Sequence, residues 1–209
     1  KNSVLFACVY MLNHPYRDIV ITRSSYGSIE DTTYAEFKAA LESLPKEISS
    51  QFEFFKSPLR IVRKNSAGTI YFIGAGGANL DRTKGLKTSH PVGIVIAEEI
   101  QELKTKEHYD QFIASVRRNL CIDNPKVILL GNPPAIEAHW FNIFTKQCEK
   151  DSDWLVQRMT WEDIVDFLND LDIKEIIKCM FLNKSYYDWM YGGIATGGGG
   201  KVYPMFRKD

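Results

Sequence analysis

The sequence predicts an α/β fold, a mostly parallel sheet flanked by helices and carrying a β-hairpin insertion. Three observations predict it. DIVITR (Asp18–Arg23), VGIVIA (Val92–Ala97) and KVILLGNPP (residues 126–134) are short apolar runs that end in polar or turn residues, the pattern of strands buried on both faces. Stretches with helical periodicity separate them, as crossovers between parallel strands require. Residues 59–75, LRIVRKNSAGTIYFIGA, alternate on either side of Asn65-Ser66-Ala67-Gly68, which is a hairpin signal.

The elements follow in order. Residues 4–12, VLFACVYML, read as a buried helix closed by a turn at Asn13-His14-Pro15. This longest apolar run is far short of the roughly 20 residues that a membrane span needs, and it lacks the cleavage-like end of a signal peptide. Residues 33–44 are helical, with Tyr34, Phe37, Ala40, Leu41 and Leu44 on one stripe, and Pro45 stops the helix. A loop rich in Gly, Asn, Asp and Lys runs over residues 74–90. Residues 106–119 and 138–148 read as helices, 154–160 as a further strand, and 164–182 as one or two helices. The end, YGGIATGGGGKVYP, reads as a linker or hairpin loop. There is no internal repeat.

Composition bounds the possibilities. A chain of 209 residues suits one ordinary domain, or a domain plus a piece of a second. Apolar residues make up 44% and charged residues 25%, so the chain is globular. The 26 basic and 26 acidic residues cancel, which removes an overall basic footprint for nucleic acid but not a local patch. Cys8, Cys121, Cys148 and Cys179 are widely spread with no CxxC pair. That favours buried free thiols in a reducing compartment over a zinc site or a disulfide framework.

The chemistry-bearing residues gather at strand ends. Glu98 and Glu99 close the apolar run of the second strand. If the strand persisted that far, alternation would send them to opposite faces. Two such carboxylates can divide two tasks of phosphoryl transfer, one holding Mg²⁺ and the other orienting and deprotonating water. The plainer alternative is that the pair opens a solvated helix, where acids suit the positive N-terminus. Asn132, in the turn after the third strand, could set an amide against a terminal phosphate, or simply belong to an Asn-Pro turn. Ligands of such sheets bind beyond the carboxyl ends of the strands.

The opening KNSVLFACVYML has a lysine, two small polar residues and an apolar helix, as after the glycine-rich loop of a P-loop ATPase. Taken in order, these pieces resemble the ATPase domain of the large terminase subunit of tailed phages, a P-loop NTPase of the ASCE type. Further segments carry the resemblance: Lys56-Ser57-Pro58-Leu59, GAGGANLDRTKGLKTS (residues 74–89) and EEIQEL (residues 98–103). So do ITRSSYGSIEDTTYAEF (residues 21–37), GNPPAIEAHWFNIF (131–144), MTWEDIVDFL (159–168) and NKSYYDWMYGGIATGGGGKVYPMF (183–206). Each motif is loose, but together they cover nearly the whole chain in order.

The resemblance implies an ATPase domain over residues 1–182, lacking its P-loop strand, and a linker with the start of a nuclease domain over 183–209. It implies ATP and Mg²⁺ as cofactors. Lys1 would grip the β- and γ-phosphates, with Asn2 beside it, and Arg23 would approach the nucleotide unless it serves as a structural pair. Glu98 matches the metal-binding acid, Glu99 the water-activating glutamate, and Asn132 the residue that couples to the γ-phosphate. A basic residue acting on a neighbouring subunit's site is sought among Arg82, Lys84 and Lys87, with Lys87 favoured. The implied partners are double-stranded DNA, the portal protein and procapsid, the small terminase subunit, and further copies in a ring on the portal. No membrane is involved, and the implied location is the host cytoplasm at the portal vertex.

The sequence also departs from that pattern. Asn2 stands where a Ser or Thr ligand for Mg²⁺ is expected, and neither the glycine-rich loop nor nuclease acids are present. The resemblance therefore implies a natural protein that is longer at its N-terminus, and it leaves hydrolysis by this stretch in question. Two alternatives follow: another P-loop motor such as a helicase, or a non-hydrolysing structural or regulatory remnant of the fold. The His-Trp helix after Asn132 and the Gly-rich junction to KVYP speak against the helicase.

Overall fold

The computed structural model describes residues 2–65, 67–76 and 86–197. The chain forms two compact units, Lys1–Gly131 and Asn132–Asp209. The first holds a six-stranded sheet of order β2-β3-β4-β1-β5-β6. Its strands are β1 (Asp18–Arg23), β2 (Phe52–Lys56), β3 (Leu59–Arg63), β4 (Thr69–Gly74), β5 (Val92–Ala97) and β6 (Lys126–Leu129). β4, β1, β5 and β6 run parallel, and β2 and β3 add an antiparallel meander beyond β4.

β1 and β5 lie inside the sheet, and the bounds of both match the apolar runs of the sequence. Ile19 and Ile21 of β1 and Ile94 and Ile96 of β5 point to one face. There α1 (Asn2–Asn13) contributes Val4, Ala7, Cys8 and Met11, and α3 (Ala35–Glu42) contributes Phe37 and Leu41. Phe72 of β4 completes this core. The stripe expected over residues 33–44 is the buried face of this helix, which ends before Pro45. Two one-turn helices flank it, α2 (Tyr26–Ile29) and α4 (Lys46–Ser49). α5 (Lys106–Arg117), in the crossover from β5 to β6, buries Tyr109, Phe112 and Val116. Thr105 caps its start.

Buried polar groups tie the amino end of the sheet together. Asp18, fully buried, accepts backbone N–H bonds from Thr69 (2.8 Å) and His90 (2.7 Å), linking β1 to the starts of β4 and β5. Arg63 of β3 donates to the last carbonyls of α1, at Met11 and Leu12, where a cation also suits the helix dipole.

Three expectations change. The hairpin is part of a three-stranded meander, because β2 pairs with β3 along its whole length. FEFFK carries no turn signal of its own, so only the partner reveals it as a strand. KVILL is an edge strand among the described residues and only half-buried, because its far side meets no further strand there. Residues 154–160 form no strand. They run as irregular chain with Leu155 92% exposed, and no ladder among the described residues offers them a partner.

The second unit contains α6 (Trp140–Cys148), a 3₁₀ segment (Trp161–Phe167), α7 (Asp170–Leu182) and α8 (Lys184–Met190). Thr160 and Asp163 form a capping box at the 3₁₀ start. The indole N–H groups of Trp161 and Trp189 donate to Tyr187 Oη (3.0 Å) and to the Pro133 carbonyl (2.7 Å). The stretch that reads as a linker from residue 183 thus opens with a helix. Among the described residues Cys8, Cys121, Cys148 and Cys179 form no disulfide, and the first three are buried. Burial pushes the Cys8 thiol up to about 11. Among the described residues no helix is long and apolar enough to cross a membrane.

Candidate active site at the carboxyl edge of the sheet

β1 and β5 end side by side, in the register Thr22↔Ala97. The ladder runs one step further, since Glu98 N–H donates to the Thr22 carbonyl (2.8 Å). Glu98 therefore keeps the alternation of β5 and shares the face of Ile94 and Ile96. There its carboxylate accepts a 2.5 Å bond from Thr33 Oγ1. Glu99 does not continue the strand. Its φ of 49° and ψ of 42° are left-handed, a conformation that costs a non-glycine residue roughly 1 kcal/mol or more. This turn starts the 3₁₀ segment Ile100–Glu102, and the Glu99 carboxylate accepts from Gln101 Nε2.

The two adjacent acids thus have different anchors. One is held by the helix side of the sheet, the other by the turn that it begins. Such strained residues cluster at functional sites.

A polar network surrounds them. Arg23 lies 3.5 Å from Glu102 and donates to Thr32 Oγ1 at 3.3 Å. Ser24 Oγ donates to Glu102 as well. Thr22 Oγ1 is buried without a hydrogen-bond partner among the described residues. Gln101 and Glu102 belong to the EEIQEL stretch, whereas Thr33 and Ser24 meet it only through the fold. The one sequence signal for Thr33 is a hydroxyl at the start of a buried helical stripe.

The other expected residues are placed as follows. Asn2 opens α1. Lys87 is exposed in the loop before β5. Lys1, Arg82 and Lys84 lie outside the described residues. The chain leaves the sheet at Leu130, whose N–H donates to Ala97 and whose carbonyl accepts from Ile100. Asn132 follows as the first, exposed residue of the second unit. That unit has a cleft of about 290 Å³ lined by Pro133, Glu137, Lys146, Arg158 and Gly193. Asn142, buried at its wall, donates to the Pro134 and Ile136 carbonyls at 2.8 Å each.

No three His, Cys, Asp or Glu side chains among the described residues cluster as a metal cage. Glu98, held by Thr33, offers carboxylate oxygen, a hard donor. That fits Mg²⁺, which is commonly held by one or two carboxylates together with substrate phosphates.

A parallel sheet core flanked by helices, with an antiparallel meander on one side, is the α/β architecture of the P-loop NTPase fold. The comparisons agree on a narrower group. The model of the phage terminase large subunit family matches residues 1–194, and the chain belongs to that family.

Among solved structures it is similar to the large terminase of a thermophilic bacteriophage, with a TM-score of 0.72 at 18% identity. That match covers 99% of this chain and 47% of the other. The same phage protein has also been solved with ATP-γ-S. The bacteriophage HK97 large terminase matches with a TM-score of 0.63 at 12% identity, covering 94% of this chain and 43% of that one. The large terminase ATPase domain of Thermus phage P74-26 matches with a TM-score of 0.61 at 10% identity, covering 92% and 82%. The chain therefore spans less than half the length of the first two of these proteins. Among curated proteins no sequence matches.

Proposed function

We propose that the chain is the ATPase motor domain of a terminase large subunit, coupling ATP hydrolysis to movement of double-stranded DNA into a procapsid. The observation that supports this most is the divergence of two consecutive acids at the carboxyl edge of a parallel sheet. Glu98 is fixed by Thr33 and by the β1 ladder, and Glu99 is turned away by a left-handed backbone. In this reading Glu98 holds Mg²⁺, which when bound supplies charge neutralisation on the phosphate oxygens. Glu99 orients the attacking water and takes its proton. Different side chains, Thr33 and Gln101, engage the two carboxylates, so each can serve its own task.

In the same reading Asn132 senses the γ-phosphate, Lys1 and Asn2 have the phosphate-binding role that the resemblance implies, and Lys87 acts on a neighbouring subunit's site. Arg23, engaged by Glu102 and Thr32, braces the edge of the site on its nucleotide side. Residues 1–182 then form the ATPase domain, and 183–209 lead toward a nuclease domain. The motor works as a ring on the portal with the small terminase subunit, in the host cytoplasm at the portal vertex.

The test is Glu99→Gln in the full-length protein. Turnover falls to background while ATP binding persists, and stimulation by procapsid and portal is lost with it. Retained turnover would refute the assignment of the base. Stimulation by DNA alone, with no effect of procapsid and portal, would favour a helicase-like motor. Absence of Mg-ATP binding to the wild-type protein would favour a non-hydrolysing remnant.

A further inference from the structure

The segment joining α2 to α3 is π-helical over Glu30–Tyr34. A π turn fits an extra residue into the helix and is frequent at functional sites. Here it sets two successive threonines against two different strand ends. Thr32 Oγ1 receives the Arg23 guanidinium at the end of β1 while donating to the Ser28 carbonyl. Thr33, 3% exposed, donates to Glu98 Oε2 beyond β5 at 2.5 Å. Tyr34, the last residue of the turn, packs edge-on against Phe72 of β4, with ring centroids 5.2 Å apart. The turn is therefore anchored to the sheet at three consecutive residues, and Thr33 is the one that reaches an acid of the candidate site.

We infer that Thr33 is a positioning residue that orients the Glu98 carboxylate for a divalent cation shared with the nucleotide. The inference rests on the reading of Glu98 as the metal-binding acid. A carboxylate at a strand end has several rotamers, and a charge-assisted bond from a buried, β-branched donor selects one of them. Partners of this kind behind a metal ligand typically contribute 10- to 100-fold in metal affinity. The Thr33 hydroxyl is well placed for the role because its own rotamer is fixed by burial in the π turn.

The experiment uses the full-length protein with ATP-γ-S and Mn²⁺ as the probe, with free Mn²⁺ followed by electron paramagnetic resonance. Thr33→Val keeps the shape and removes the donor. Its apparent Kd for Mn²⁺ should rise about tenfold, while ATP-γ-S affinity without metal stays at the wild-type value. Thr33→Ser should restore Mn²⁺ binding to near wild type. If Thr33→Val melts far below the wild type, the Thr33→Ala and Thr33→Ser pair isolates the hydroxyl, since both lose the same methyl group. Wild-type Mn²⁺ binding by Thr33→Val, or equal binding by the Ala and Ser variants, would overturn the inference. In that case loss of binding in Glu98→Gln would leave the reading of Glu98 standing. Wild-type Mn²⁺ binding by Glu98→Gln would instead remove that reading, and the role of Thr33 with it.

Discussion

Phe72 offers a direct test of how the candidate site is held. Its side chain is 2% exposed. Its ring meets Tyr34 at 5.2 Å and 83° and Phe37 at 5.6 Å and 81°, both edge-to-face. Phe72→Leu keeps most of the buried apolar area but removes both ring pairs. Each pair contributes ~0.5–1.5 kcal/mol, so the loss is about 1–3 kcal/mol. Phe72→Ala adds a cavity and raises the cost to ~3–5 kcal/mol. At tenfold per 1.4 kcal/mol, the alanine variant should speed globally limited amide exchange in the sheet by roughly a hundredfold to several thousandfold.

Hydrogen exchange is the suitable assay. All four tryptophans, Trp140, Trp154, Trp161 and Trp189, lie in the second unit, so their emission reports on that unit and not on the sheet. Phe72→Leu should accelerate exchange over Glu30–Tyr34 and α3 more than over α5. Unchanged exchange across the π turn in Phe72→Leu would refute the claim that the aromatic wedge holds the turn to the sheet.

Other outcomes follow from single contacts. A Cβ at Gly68 would lie 2.0 Å from the Arg17 carbonyl oxygen, a backbone atom. Gly68→Ala should therefore cost ~1–3 kcal/mol, visible as a lower melting temperature. His139 Nδ1 accepts the Phe141 N–H at the start of α6, and burial lowers its pKa. A lowered folded pKa gives stability that is present above the usual histidine value and lost as pH falls through the folded one. Exchange at the first turn of α6 should rise in acid, and His139→Asn should abolish that pH dependence. Asp18 is shifted upward by burial, against the lowering effect of its His90 and Thr69 hydrogen bonds. Its contribution to stability is therefore fullest in acid and declines as pH rises through the folded pKa. A ¹³C titration of its carboxyl group should show a midpoint above the usual ~3.9, and a midpoint at or below that value would contradict the balance.

The sequence by itself determined the strands that are buried on both sides and the helices that cover them. DIVITR and VGIVIA are apolar throughout, so no choice of face is needed, and the stripe from Tyr34 to Leu44 has only one side to bury. It also determined that Glu98 and Glu99 stand at the end of the apolar run VGIVIA, because burying a carboxylate without partners is costly. Where the signal lay in a partner, the sequence was silent. FEFFK becomes a strand only beside LRIVR, and WLVQRMT has strand-like composition but, among the described residues, no neighbouring ladder to join. KVIL reads as buried, yet its edge position among the described residues leaves it half-buried.

The site was legible as residue types and illegible as geometry. Alternation sends Glu99 opposite Glu98, whereas a left-handed turn starts at Glu99 and pairs it with Gln101. Thr33 stands 65 positions before Glu98, and no local pattern joins the two. Only the packing of a π turn against the sheet brings that hydroxyl to the carboxylate. Such contacts depend on the register of β1 beside β5, which is set by the sum of many apolar contacts and not by either residue.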